Sequence, residues 1–99
     1  MKVVAVTACP TGIAHTYMAA DALVKAAPKL NIQIKVETQG AMGIENQLTP
    51  HDIAHADKVL IVSDIEIELA ARFDGLNKVQ VPIEDVLLNV DKVLLVHCR

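Results

Sequence analysis

Among the side chains able to do chemistry, Cys9 has the most suggestive neighbours. Thr7-Ala8-Cys9-Pro10-Thr11-Gly12-Ile13-Ala14-His15-Thr16 follows an apolar run, Val3 to Val6, and opens an alanine-rich helical segment. The pattern reads as strand, loop and helix, with a thiol at the turn. Unpaired backbone N–H groups at a helix N-terminus, together with the positive end of the helix dipole, favour an anion. Thiolate is such an anion, and so is phosphate. An unperturbed cysteine titrates near about 8.5 and a helix N-terminus lowers that value, so Cys9 is expected to ionise near neutral pH and to act as a nucleophile in an oxyanion cradle. The competing reading makes Cys9 a small buried residue at a strand end.

The rest of the chain has to position that loop. Lys2 to Val6 is short, β-branched and almost continuously apolar, as expected for a central parallel strand covered on both faces. Ile13, Tyr17, Ala20, Val24 and Ala27 recur at helical spacing up to Pro28, which predicts a first helix with that stripe against the sheet. Asn31 to Thr38 alternates Ile32, Ile34 and Val36 with Gln33, Lys35 and Glu37, the pattern of an edge strand with one solvated face. Gln39 to Asn46 is expected to be a loop on the same rim as Cys9, either a plain connection or a contact surface presenting Met42 and Ile44. Thr49-Pro50-His51-Asp52 starts a short helix to about His55. Lys58 to Val62 is a second buried strand ending at Ser63 and Asp64, Ile65 to Phe73 holds a helical turn or two, and Asp74-Gly75 is a turn. Val79 to Val81 is the last strand, and Pro82 opens a final helix carrying Val86, Val90, Val93 and His97, although Val93 to Val96 also fits a strand.

This order predicts one α/β domain spanning 1–99, a three-layer α/β/α sandwich with a four-stranded parallel sheet in the order 2-1-3-4, like half of a Rossmann or flavodoxin fold. The strand order puts a switch point beside the first strand, where such sheets bind ligands and where Cys9 falls.

Composition narrows the function. A chain of 99 residues with one Tyr, one Phe and no Trp offers little for base stacking or a ring-sandwiched flavin, and a net charge of −3 disfavours a nucleic-acid partner. The two cysteines, Cys9 and Cys98, lack C-x-x-C or zinc-type spacing, so neither a disulfide nor a metal site is expected. No signal segment precedes the first strand, and no apolar run approaches the roughly 20 residues that cross a bilayer. A cytoplasmic, monomeric protein without cofactor or membrane insertion is expected.

Thiolate phosphatases hold phosphate with an arginine six positions after the cysteine, where this chain has His15. No arginine lies between Cys9 and Arg72, which leaves a phosphate cradle without its clamp. An aspartate-type phospho-acceptor needs an acidic cluster for Mg²⁺, and Asp64 alone is a weak one. A redox role finds no resolving cysteine nearby.

Three stretches carry a family resemblance: Ala8 to Thr16, Glu37-Thr38-Gln39-Gly40, and Asp64-Ile65-Glu66 with Arg72-Phe73. Over nearly the whole chain, weakening after about Val86, the sequence resembles the fructose-family enzyme IIB of the bacterial phosphoenolpyruvate-dependent sugar phosphotransferase system. The resemblance implies a phosphotransferase: a cysteine takes a phosphoryl group from phosphohistidine on enzyme IIA and passes it to a fructose-like sugar held by the membrane-embedded enzyme IIC. It implies that Cys9 becomes phosphocysteine, with the backbone of Pro10, Thr11, Gly12, Ile13 and Ala14 as cradle and the loop continuing through His15 and Thr16. His15 either donates to phosphate or packs as an ordinary helix residue. Thr16 is read as bonding back along its helix. Met42 and Ile44, with Ile13, are expected to form the apolar centre of the enzyme IIA contact. A phosphatase-like enzyme and a non-catalytic regulatory adaptor of a transporter are the alternatives. His51, His55 and His97 read as surface residues, and the Tyr17 hydroxyl either reaches the rim or snorkels from the core.

Overall fold

A computed structural model describes residues 1–10 and 14–98. Thr11, Gly12 and Ile13 of the cysteine loop lie outside the described residues, as does Arg99. The chain runs β1 (Lys2–Ala8), α1 (Ala14–Ala26), β2 (Gln33–Gly40), β3 (Gly43–Glu45), α2 (Pro50–Ala54), β4 (Lys58–Ser63), β5 (Lys78–Val81) and α3 (Ile83–His97). Short 3-10 turns at Ala27–Leu30 and Ala70–Phe73 complete it.

The strands form one sheet in the order β3-β2-β1-β4-β5. Its four parallel strands follow the expected order, with the apolar β1 at the centre between β2 and β4. The fifth strand is a correction. β3 runs antiparallel to β2 through the pairs Thr38 with Glu45, Gln39 with Ile44 and Gly40 with Gly43, so the sheet is mixed and β2 is not its edge. Three residues are too few to carry a period, and only Gly43, at φ +90°, marks the tight turn.

Alternation along β1 divides the interior. Val3, Ala5 and Cys9 face a core shared with Leu23 and Ala26 of α1 and Val86, Val93 and Leu94 of α3. Val4, Val6 and Ala8 face a smaller core built with Leu48, Ile61, Ile67 and Phe73, with Ile53 of α2 packed against it. Helical layers therefore cover both faces, as a buried parallel sheet requires.

The buried face of α1 differs from the expected stripe. Thr16, Ala19, Leu23 and Ala26 point inward, while Val24 is half exposed. In an alanine-rich helix two adjacent faces are almost equally apolar, and Leu23, fully buried, settles the phase. At α2 the reading from sequence holds: Thr49 Oγ1 accepts from the Asp52 N–H at 3.0 Å and Asp52 Oδ2 accepts from the Thr49 N–H at 2.9 Å, a reciprocal capping box. Lys35 Nζ donates to the same Asp52 oxygen at 2.6 Å, and that bond, followed by the Thr49 N–H, holds the Asp52 carboxyl far below the usual range. Val93 to Val96 lie in α3, which is interrupted at Asn89 (φ −159°, ψ 81°); Asn89 Oδ1 caps the second half by accepting from the Lys92 N–H at 3.1 Å. Between Ile65 and Phe73 the regular structure is the 3-10 turn alone. Among the described residues no helix is long and apolar enough to cross a membrane.

Candidate functional site

Cys9 directly follows β1, whose last residue, Ala8, pairs with Gln39 of β2 and Ser63 of β4. The thiol thus stands at the carboxyl rim of the central strand, on the side of the sheet that α1 covers. Strand alternation aims it at α1, and it is 6% exposed. From the first described turn of α1, the fully buried Thr16 donates its hydroxyl to Cys9 Sγ at 3.0 Å. The hydroxyl expected to bond back along its own helix reaches the sulfur instead. The inward phase of α1 makes this contact, since it places Thr16 in the same row as Ala19 and Leu23.

Other candidates are arranged around this pair. Ala14 and His15 lie in the same turn but face solvent, and Pro10 is exposed. Met42, at the tip of the β2–β3 hairpin, is 79% exposed, whereas Ile44 in β3 is half-buried. His51 and His55 are exposed and stacked on each other at 4.1 Å between ring centres, and His97 is half-buried. The Tyr17 hydroxyl is buried and has no hydrogen-bond partner among the described residues.

One set of interactions at the rim escaped the sequence reading, where Glu37, Gln39 and Arg72 figure as carriers of the family resemblance. Glu37, expected on a solvated strand face, is fully buried. Arg72 grips it in a fork, Nη1 to Oε1 at 2.8 Å and Nη2 to Oε2 at 2.9 Å. Gln39 Nε2 donates to Oε2 and the Leu48 N–H donates to Oε1, each at 2.9 Å. Burial pushes the Glu37 carboxyl up, and the bonds from Arg72, Gln39 and Leu48 together outweigh it and bring the carboxyl below its ordinary value. Gln39 also bonds the Glu68 main chain in both directions, to its carbonyl at 2.9 Å and from its N–H at 2.8 Å. Arg72 Nε donates to the Leu69 carbonyl at 2.8 Å, holding Leu69 in a left-handed conformation at φ +60° that bulky residues avoid. Glu37 and Gln39 therefore tie the segment after β4 to the end of β2, beside Ala8. No period in the sequence announces this, because a polar residue on alternate strand positions reads as solvated.

Ser63, at the end of β4, closes a tight turn by donating to the Ile65 carbonyl at 2.7 Å and accepting from its N–H at 3.0 Å, which leaves Asp64 exposed at the rim. An open cavity of about 560 Å³ lined by Ile61, Asp64, Ile67, Phe73 and Gln80 lies on the sheet face opposite Cys9. It does not include the thiol.

A family model described as PTS system, Lactose/Cellobiose specific IIB subunit matches residues 4–95. The chain is 50% identical over 93 residues to the PTS system fructose-like EIIB component 2 of Escherichia coli strain K12, covering 94% of this chain and 88% of that protein. It is 50% identical over 82 residues to the PTS system fructose-specific EIIABC component of Bacillus subtilis strain 168, which takes in 83% of this chain but 13% of the larger protein. A crystal structure described as a fructose-specific IIB from Escherichia coli aligns with a TM-score of 0.91 and 42% identity, over 98% of this chain and 86% of that one. The structure of a domain of fruA from Bacillus subtilis aligns with a TM-score of 0.86 and 41% identity, over 96% and 90%.

Proposed function

Since the chain belongs to the fructose-like enzyme IIB family of the sugar phosphotransferase system, we propose that it is a phosphoryl carrier with Cys9 as its nucleophile. Residues 1–99 act as one IIB domain, accepting a phosphoryl group from phosphohistidine of an enzyme IIA and donating it to a fructose-like sugar bound by a membrane enzyme IIC. The IIC component is met at the cytoplasmic face of the membrane. The observation that carries this reading is the position of Cys9 Sγ at the rim of the central strand with a buried hydroxyl donating to it. A sulfur so placed is held as an anion beside the first turn of a helix, an environment that also suits the phosphoryl dianion.

Transfer to water, as in a thiolate phosphatase, calls for a cation on the transferring group and a positioned base. Arg72 is engaged at every guanidinium nitrogen, two on Glu37 and one on the Leu69 carbonyl. Its placement therefore favours a carrier over a hydrolase. Incubating the protein with phosphoenolpyruvate, the general phosphotransferase proteins and candidate IIA domains, followed by intact-mass and peptide analysis, tests the proposal. The expected result is one added phosphoryl group on Cys9, lost in Cys9→Ser and retained in Cys98→Ser. Label on a histidine, or rapid Cys9-dependent hydrolysis of aryl phosphates, would overturn it.

A further inference from the structure

Thr16 touches the proposed nucleophile directly, and its properties suit a specific task. It is 0% exposed, and its hydroxyl lies 3.0 Å from Cys9 Sγ in donor geometry. A hydroxyl has a single proton to donate. A neutral thiol or a sulfur bonded to phosphorus is a weak acceptor, whereas a thiolate is a strong one, so this contact distinguishes the charge states of the sulfur. In water-free surroundings that difference is amplified.

We propose that Thr16 is a catalytic residue of the relay, holding Cys9 Sγ as the attacking anion and stabilising it again as the leaving group. This rests on the carrier reading above. In the first half-reaction the thiolate attacks the phosphorus of phosphohistidine. The S–P bond forms as N–P breaks, and the electron pair stays on the imidazole nitrogen, which takes a proton from solvent. In the second, the sugar hydroxyl attacks phosphorus and its proton passes to a general base of the membrane component, a carboxylate or imidazole. The O–P bond forms, S–P breaks, and its electron pair returns to Sγ. Negative charge grows on sulfur only in this second step, so the Thr16 bond strengthens towards the transition state and lowers the barrier to departure. In the first step charge leaves the sulfur. There the same bond raises the thiolate fraction but slightly blunts its nucleophilicity.

The fold supplies a matched control. Thr7 is also fully buried, stands two residues before Cys9 on the same side of β1, and its hydroxyl has no partner among the described residues. The experiment measures Cys9 alkylation by iodoacetamide against pH, and single-turnover phosphoryl transfer, in wild type, Thr16→Val, Thr16→Ser and Thr7→Val. Valine keeps the branched shape and removes the hydroxyl. Thr16→Val should raise the alkylation midpoint by about one to two pH units and slow donation to sugar about tenfold to a hundredfold. Acceptance from phospho-IIA above both midpoints should be unchanged or faster. Thr16→Ser should restore both properties, and Thr7→Val should match wild type. An unmoved midpoint in Thr16→Val, or an equal shift in Thr7→Val, overturns the inference. If wild type takes no phosphoryl group while Thr16→Val still shifts the midpoint, the carrier reading fails, the leaving-group role falls with it, and the thiolate contact alone stands.

Discussion

At the scale of single residues, two buried side chains brace the rim around Cys9: Thr16 donates to its sulfur, and Glu37 is gripped by Arg72 at the end of β2. Cys9 declares itself because an apolar strand, a glycine-containing turn and a helix start in sequence leave few other places for it. Thr16 belongs to the same motif, but its direction depends on which face of α1 turns inward, and alanines on both sides of it give no preference. Glu37 misleads more completely. It alternates with apolar residues like a solvated side chain, yet it is sealed under Arg72, Gln39 and the Leu48 N–H. A carboxyl held below its unfolded value, near about 4.3, stabilises the fold in full above that pH. That contribution is lost as pH falls through the lower, folded value. Thermal melts should therefore show stability declining as pH falls below the ordinary glutamate range. Glu37→Gln should lower the melting temperature at pH 7 by more than about 10 °C, since Arg72 is left part-buried and unneutralised, and should flatten the decline in acid. A mutant whose melting temperature tracks wild type across this range would show that the fork contributes little.

At the scale of elements, long apolar strands and capped helices were read well, and short or ambiguous pieces were not. The start of α2 follows from residue types alone, because Thr49, Pro50 and Asp52 each have one favourable place there, and the structure adds the reciprocal bonds of the capping box. β3 gives no such signal. It owes its existence to a two-residue turn, Ala41 and Met42, that folds the chain back along β2. The hairpin has a functional corollary under the carrier reading: it places Met42 at a tip beyond the carboxyl end of β2, on the rim that bears Cys9. Met42→Glu should slow phosphoryl transfer from phospho-IIA about tenfold by placing a charge at the centre of a transient contact. The melting temperature and the Cys9 alkylation profile should be unchanged, because the side chain is 79% exposed. Undiminished transfer would move the docking surface away from the hairpin.

At the scale of the whole molecule, the layered architecture and the parallel strand order followed from the alternation of strand and helix, since right-handed crossovers leave few arrangements for four strands. Order alone put Cys9 at the switch point. What it could not supply was the cross-bracing, in which side chains of β2 grip the segment after β4 over the end of β1. The brevity of β3 carries one more consequence, for how copies of the protein behave towards each other. β3 pairs with β2 only from Thr38 to Gly40, so among the described residues no strand lies on the outer flank of Gln33 to Val36, whose inner flank is paired with β1. An open flank of backbone donors and acceptors invites a neighbouring molecule to add its own strand. Lys35 stands in the middle of that flank with its ammonium part-exposed and held by Asp52, and a charge there makes strand addition unfavourable. Lys35→Ile should produce concentration-dependent light scattering, whereas Asp52→Asn, which breaks the ion pair but keeps the cation, should not. Equal scattering from both would assign the effect to α2 instead. Under the carrier reading such a guard matters, for every molecule lost to a growing intermolecular sheet would be withdrawn from the relay.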